Sequence, residues 1–89
     1  MFVAQFTTWD TDVDARDFFV AYLERTWKRY PGAKNTDTVS TTERGERHEW
    51  KTSSGRGVLE LRGSRVLILE GIPAKANTTA LLNRIWHQG

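Results

Sequence analysis

An α+β fold built on an antiparallel sheet is what this sequence predicts, and three observations carry the prediction. Residues 2–9, FVAQFTTW, alternate in side-chain character as a sheet strand does. Residues 11–30 place apolar side chains at three- and four-residue spacing, the mark of one long amphipathic helix. Residues 47–70 hold three β-rich runs separated by glycine-bearing turns, which is the pattern of a meander. The expected order is β-α-(β)-β-β-β-α in one domain over residues 1–89. It has four strands, with a fifth left open at 37–42, and one long and one short helix.

The first strand places Phe2, Ala4 and Phe6 on one side and Val3, Gln5 and Thr7 on the other. In the helix that follows, Thr11 stands three residues before Asp14 as a capping start. Asp12, Asp14 and Asp17 sit where the helix dipole favours negative charge. Ala15, Phe18, Phe19, Tyr22, Leu23, Thr26 and Tyr30 form its apolar stripe over about five turns. Arg25, Lys28 and Arg29 suit its C-terminal end, and Pro31-Gly32 stops it. The stretch 33–47 is polar apart from Val39 and has room for one short edge strand.

Charges test the register of the next hairpin. A turn at Ser54-Gly55 sets Glu49 against Glu60 and Arg47 against Arg62. A turn at Gly55-Arg56 pairs Lys51 with Glu60, Glu49 with Arg62 and Trp50 with Leu61. Opposed like charges cost, and opposite charges contribute, roughly 0.2–1 kcal/mol each, so Gly55-Arg56 is preferred. The following hairpin turns at Gly63-Ser64 and sets Leu61 against Val66 and Leu59 against Ile68. One face then carries Trp50, Leu59, Leu61, Val66 and Ile68. The other carries Lys51, Glu49, Glu60 and Arg62 with Val58, Leu67 and Leu69. A short final helix, NTTALLNRIWHQ, is capped by Asn77 or Thr78 and turns Leu81, Leu82 and Ile85 inward.

Eighty-nine residues bury only about 60–65% of the unfolded chain's surface. With no cysteine, no disulfide or thiolate metal site can staple this fold, and cysteine chemistry is excluded. Packing therefore falls to aliphatic side chains and to four Trp, four Phe and two Tyr. No apolar run is long enough to span a bilayer, and MFVAQF lacks the basic start of a signal peptide. The chain reads equally as a complete product or as a domain excised from a longer one. Its net charge of +2 hides an asymmetry, five acids against one base in residues 1–24 and six against twelve thereafter. Those bases are interleaved with acids, as in ERGERHEWK, which describes a solvated mixed-charge surface better than a nucleic-acid footprint.

Residue chemistry points away from an enzyme. His48 and His87 are the only histidines, and neither stands at metal-ligand spacing. His48 shares the Trp50 face and is expected to be half-buried and hydrogen-bonded. Ser40, Ser53, Ser54 and Ser64 fall in loops or turns with no identifiable base. SSGRG and RGSR are too short for a phosphate loop and open no helix. Glu43, Glu46, Glu49 and Glu60 each have a basic neighbour and a surface role. Glu70 is expected to end its strand, hydrogen-bonded to backbone near Gly71 or paired with a base. Single-stranded nucleic-acid binding is a weak third reading, because Trp50 is the one aromatic on these strands and it sits on the apolar side.

Trp9-Asp10 ahead of Asp14-Ala15-Arg16-Asp17-Phe18, with Val66 through Glu70-Gly71 and Ile72-Pro73 downstream, resembles a small accessory domain of uncharacterised bacterial and archaeal proteins. The resemblance spans most of the chain. It implies a non-catalytic α+β module, often extracytoplasmic, at the C-terminal end of a longer chain and in some cases beside a protease-like domain. It brings no catalytic residue and no cofactor.

Two functional expectations result. The first is an interaction module that packs against a second copy or a flanking domain through Val58, Leu67 and Leu69, rimmed by Lys51, Arg62 and Arg65. A helix of the same chain is the alternative cover for that patch. The second expectation is a small apolar-ligand pocket between the long helix and the sheet, around Phe18, Tyr22, Trp50 and Trp86.

Overall fold

The computed structural model describes residues 3–42, 45–52, 55–73 and 75–88. Expectations resting on Phe2, Glu43, Ser53 and Ser54 lie outside these residues. The elements are β1 (Val3–Thr8), α1 (Asp12–Arg29), a 3-10 turn (Pro31–Thr36), β2 (Thr38–Thr42), β3 (Gly45–Thr52), β4 (Gly55–Arg62), β5 (Arg65–Ile72) and α2 (Thr78–Gln88). The five strands form one antiparallel sheet in the order β1-β5-β4-β3-β2. The option over 37–42 is therefore a strand, and the first strand joins the sheet beside the last.

Local chemistry explains the helix limits. Thr11 is extended, and its hydroxyl accepts from Asp14 N at 3.1 Å, which satisfies one orphan donor of the first turn of α1. Pro31 cannot continue the α-helical hydrogen-bond ladder and instead starts the 3-10 turn. Asn77 Oδ1 accepts from Ala80 N at 3.0 Å and caps α2.

The two sheet faces are covered by different helices. Under α1 lie Ala15, Phe19, Ala33, Trp50, Leu59, Leu61, Val66 and Ile68, with Trp9, Phe18, Tyr22, Leu23, Trp27 and Tyr30 at the margin. Trp27, off the expected stripe, meets Trp50 edge-on at 5.5 Å. Under α2 lie Val58, Leu67, Leu69 and Ile72 around Leu82, flanked by Phe6, Leu81, Ile85 and Trp86. β5 is central and apolar on both sides, which accounts for the unbroken run Val66-Leu67-Ile68-Leu69.

The Gly63-Ser64 hairpin holds, with Leu61 opposite Val66 and Leu59 opposite Ile68. Its Gly63 has φ +58, a conformation that glycine adopts without strain. The β3–β4 register is a correction. Thr52 pairs with Gly55, so the turn is neither of the two weighed; Gly55 and Arg56 belong to β4. The observed alignment sets Arg47 against Glu60 and Trp50 against Gly57. Each β3 residue's partner lies four residues from the expected one, an even shift, so every side chain keeps its face. Two contacts explain the choice. Trp50 lies so close over Gly57 that a Cβ there would fall 2.4 Å from the indole. Glu60, fully buried, receives Arg47 Nε at 2.7 Å and also Arg62 Nε. A buried carboxylate needs such partners far more than an exposed pair needs charge matching, and this outweighs the Lys51–Glu60 pairing.

Candidate functional site

The expected interface patch is closed from within. Val58, Leu67 and Leu69 are buried, and α2 of the same chain covers them through Leu82. Of the rim, Lys51 and Arg65 are exposed, while Arg62 lies 4.2 Å over the Trp86 ring and donates to Glu60. Glu60 is thus a buried ion-pair centre rather than a surface carboxylate, a second correction.

Nor do the four expected pocket residues converge. Phe18 and Tyr22 are neighbours at 5.9 Å under α1, Trp50 packs on Trp27, and Trp86 lies across the sheet against Phe6 at 5.1 Å. A cavity of about 210 Å³ does open on the α1 side, but Val3, Tyr30, Trp50, Thr52, Arg56, Gly57, Glu70 and Gly71 line it. Only Trp50 was expected there. Glu70 accepts the Tyr22 phenol at 2.9 Å instead of bonding to backbone or a base. Burial first, then this hydrogen bond and the charge of Glu70, push the Tyr22 pKa from 10.0 up to about 12. The phenol therefore stays a neutral donor, and Glu70 ties β5 to α1.

His48 is buried and hydrogen-bonded, with Nδ1 2.8 Å from Asp37 Oδ2 and Nε2 3.1 Å from Glu46 Oε2. Glu46 also faces Arg16 of α1 at 3.6 Å. The cluster clips β3 to α1 and to the end of the 3-10 turn just before β2. Both imidazole nitrogens already face protein carboxylates. Among the described residues no group of three or more His, Asp or Glu could hold a metal ion, and no helix is long and apolar enough to cross a membrane.

The two margins of the sheet are exposed. β1 and β2 each pair with a single strand, and neither contains a charged residue or a proline. Val3 and Val39, two of the few exposed large apolar side chains, sit on these edges at 42% and 54% exposure. The helices do not shelter the edges equally. Phe6 of β1 packs in the α2 cluster, whereas neither core cluster contains a residue of β2. Thr38 to Thr41 are all exposed. Beside them the α2-side surface of β3 is a polar shelf carrying Arg47, Glu49 and Lys51. It runs into a second cavity of about 150 Å³, where Lys51 and Val58 are joined by Arg56 and Thr78.

Sequence reasoning missed Arg56, which it assigned to a turn, and Thr78, which it read only as a cap. Trp50 opposite a glycine was the signal that would have set the register and placed Arg56 in the sheet. Compared with known proteins, the chain matches no family model, no curated protein and no solved structure.

Proposed function

We propose that this chain is a non-enzymatic interaction module that joins a second copy of itself by strand addition at β2. The observation that carries the reading is the unguarded edge. Edge strands of self-contained domains are blunted by charge, proline, bulges or covering elements, because their open N–H and C=O groups template pairing. Thr38-Val39-Ser40-Thr41-Thr42 has no charge or proline, is β-branched at four of five positions and stands clear of both helix layers. Antiparallel pairing of two such strands aligns threonines and Val39, cross-strand pairs that contribute roughly 0.2–1 kcal/mol each. With the apolar parts of both sheet faces covered by the chain's own helices, the β2 edge is the unguarded part of the sheet that carries this reading.

Light scattering over a concentration series tests this. The expected result is a reversible dimer that Val39→Lys splits, the variant melting at the temperature of the wild type diluted to its monomeric range, since Val39 is over half exposed. A wild-type chain that stays monomeric at every concentration overturns self-association. If, in addition, a synthetic peptide of residues 37–43 gives β2 no added amide-exchange protection, the edge itself is not a docking strand.

A further inference from the structure

The cavity between the start of α2 and strands β3 and β4 has a chemistry unrelated to strand pairing. Arg56 and Lys51 line it, and among the described residues neither has a carboxylate within salt-bridge distance. Arg56 is held in place by its own donors: one terminal nitrogen reaches Pro73 O at 3.0 Å and Ala76 O at 2.5 Å. Its Nε is left buried with no acceptor, and so is Oγ1 of Thr78, on the same cavity wall. A guanidinium nitrogen only donates, so an acceptor is what this wall lacks. Leaving such a group unsatisfied costs about 1–3 kcal/mol, more where it is charged. Thr78 is also the first residue of an 11-residue helix, whose positive dipole end adds to the same sign of potential.

Water alone would leave the net positive charge of this wall uncompensated. The volume, about 150 Å³, equals roughly five waters at about 30 Å³ each and admits a small polyatomic ion. Glu49 on the same wall works against an anion, leaving a net side-chain charge of +1 from Arg56, Lys51 and Glu49.

We propose that this cavity is a binding site for a small oxyanion group, gripped by Arg56 and Thr78 and attracted by Lys51. The immobilised guanidinium makes the site preorganised, so little side-chain order is lost on binding.

The test is an amide and Arg Nε–H chemical-shift titration of the full chain with inorganic phosphate and, separately, acetate. Sodium chloride at matched ionic strength is the control. Saturable shifts at Lys51, Arg56 and Thr78 are expected with at least one oxyanion and not with chloride. Which of the two binds more tightly distinguishes a tetrahedral from a planar ligand. Arg56→Gln is expected to weaken binding about tenfold and Lys51→Gln about threefold, in line with loss of charge-assisted contacts. Glu49→Gln is expected to tighten it about threefold, a gain that damage to the fold does not mimic. If Arg56→Gln fails to fold, the opposite shifts of the Lys51 and Glu49 variants still decide. No saturable shift at these residues with either oxyanion, or unchanged affinity in the Lys51 and Glu49 variants, overturns the assignment.

Discussion

Glu60 shows how one side chain can set a register. Its carboxylate is fully buried, with Arg47 Nε at 2.7 Å and Arg62 beside it, and Arg62 is in turn stacked on Trp86. Removing one member of such a group strands the others, at about 3–5 kcal/mol. Glu60→Ala is therefore expected to lower stability by about that amount in urea unfolding, and a loss below 1 kcal/mol would show the charges to be well solvated. Tyr22 offers a pH readout. Its pKa stands at about 12 in the folded chain against 10.0 ordinarily. The folded state thus favours the protonated phenol. This contribution is complete below pH 10 and is lost as pH rises toward 12. Tyr22→Phe is expected to remove part of the fall in unfolding midpoint between those pH values. A variant whose alkaline profile parallels the wild type would contradict the Tyr22–Glu70 coupling.

Among the elements, α2 has the largest consequence for its length. Eleven residues close one whole side of β5 and β4, and Leu82 is the anchor, 1% exposed among Val58, Leu67, Leu69 and Ile72. Leu82→Ala is expected to destabilise by about 2–5 kcal/mol, since a small helix can collapse only partly into the cavity left behind. The exposed dye-binding surface should rise with it, because the uncovered face is the apolar half of a central strand. An unaltered melting temperature would mean that α2 docks through its margins and not through Leu82. Leu81, Leu82 and Ile85 turn inward as their spacing predicts, because helical periodicity is local. Whether they would meet this chain's sheet or another's was not a local property.

At the scale of the whole molecule, the apolar faces of the sheet are covered and its two edges are open. β1 is uncharged like β2, so a chain with two open edges can extend beyond a dimer once both pair. Gln5→Lys, on the exposed β1 edge, is expected to leave the β2-linked dimer intact and to abolish any larger species in sedimentation velocity. Loss of the dimer in that variant instead would place the primary contact on β1. The polar shelf of β3 follows from the same geometry: α2 spans β1, β5 and β4 and is too short to reach further, so the cavity at its first residue stays open.

The sequence by itself determined the α+β class, both helices, the Thr11 cap of the first, the Gly63-Ser64 turn and the two faces of the β3–β5 meander. These follow from periods of 2 and 3.6 and from capping and turn chemistry, all confined to neighbours along the chain. Tertiary structure alone decided the β3–β4 register, where burial of Glu60 and the close approach of Trp50 to Gly57 outweighed exposed charge pairing. It also decided what covers Val58, Leu67 and Leu69, separated Trp86 from Trp50 by the thickness of the sheet, and gave Glu70 a phenol for a partner. Each of these depends on residues far apart in sequence competing for the same space or the same hydrogen bond, and that competition is resolved only when the layers pack.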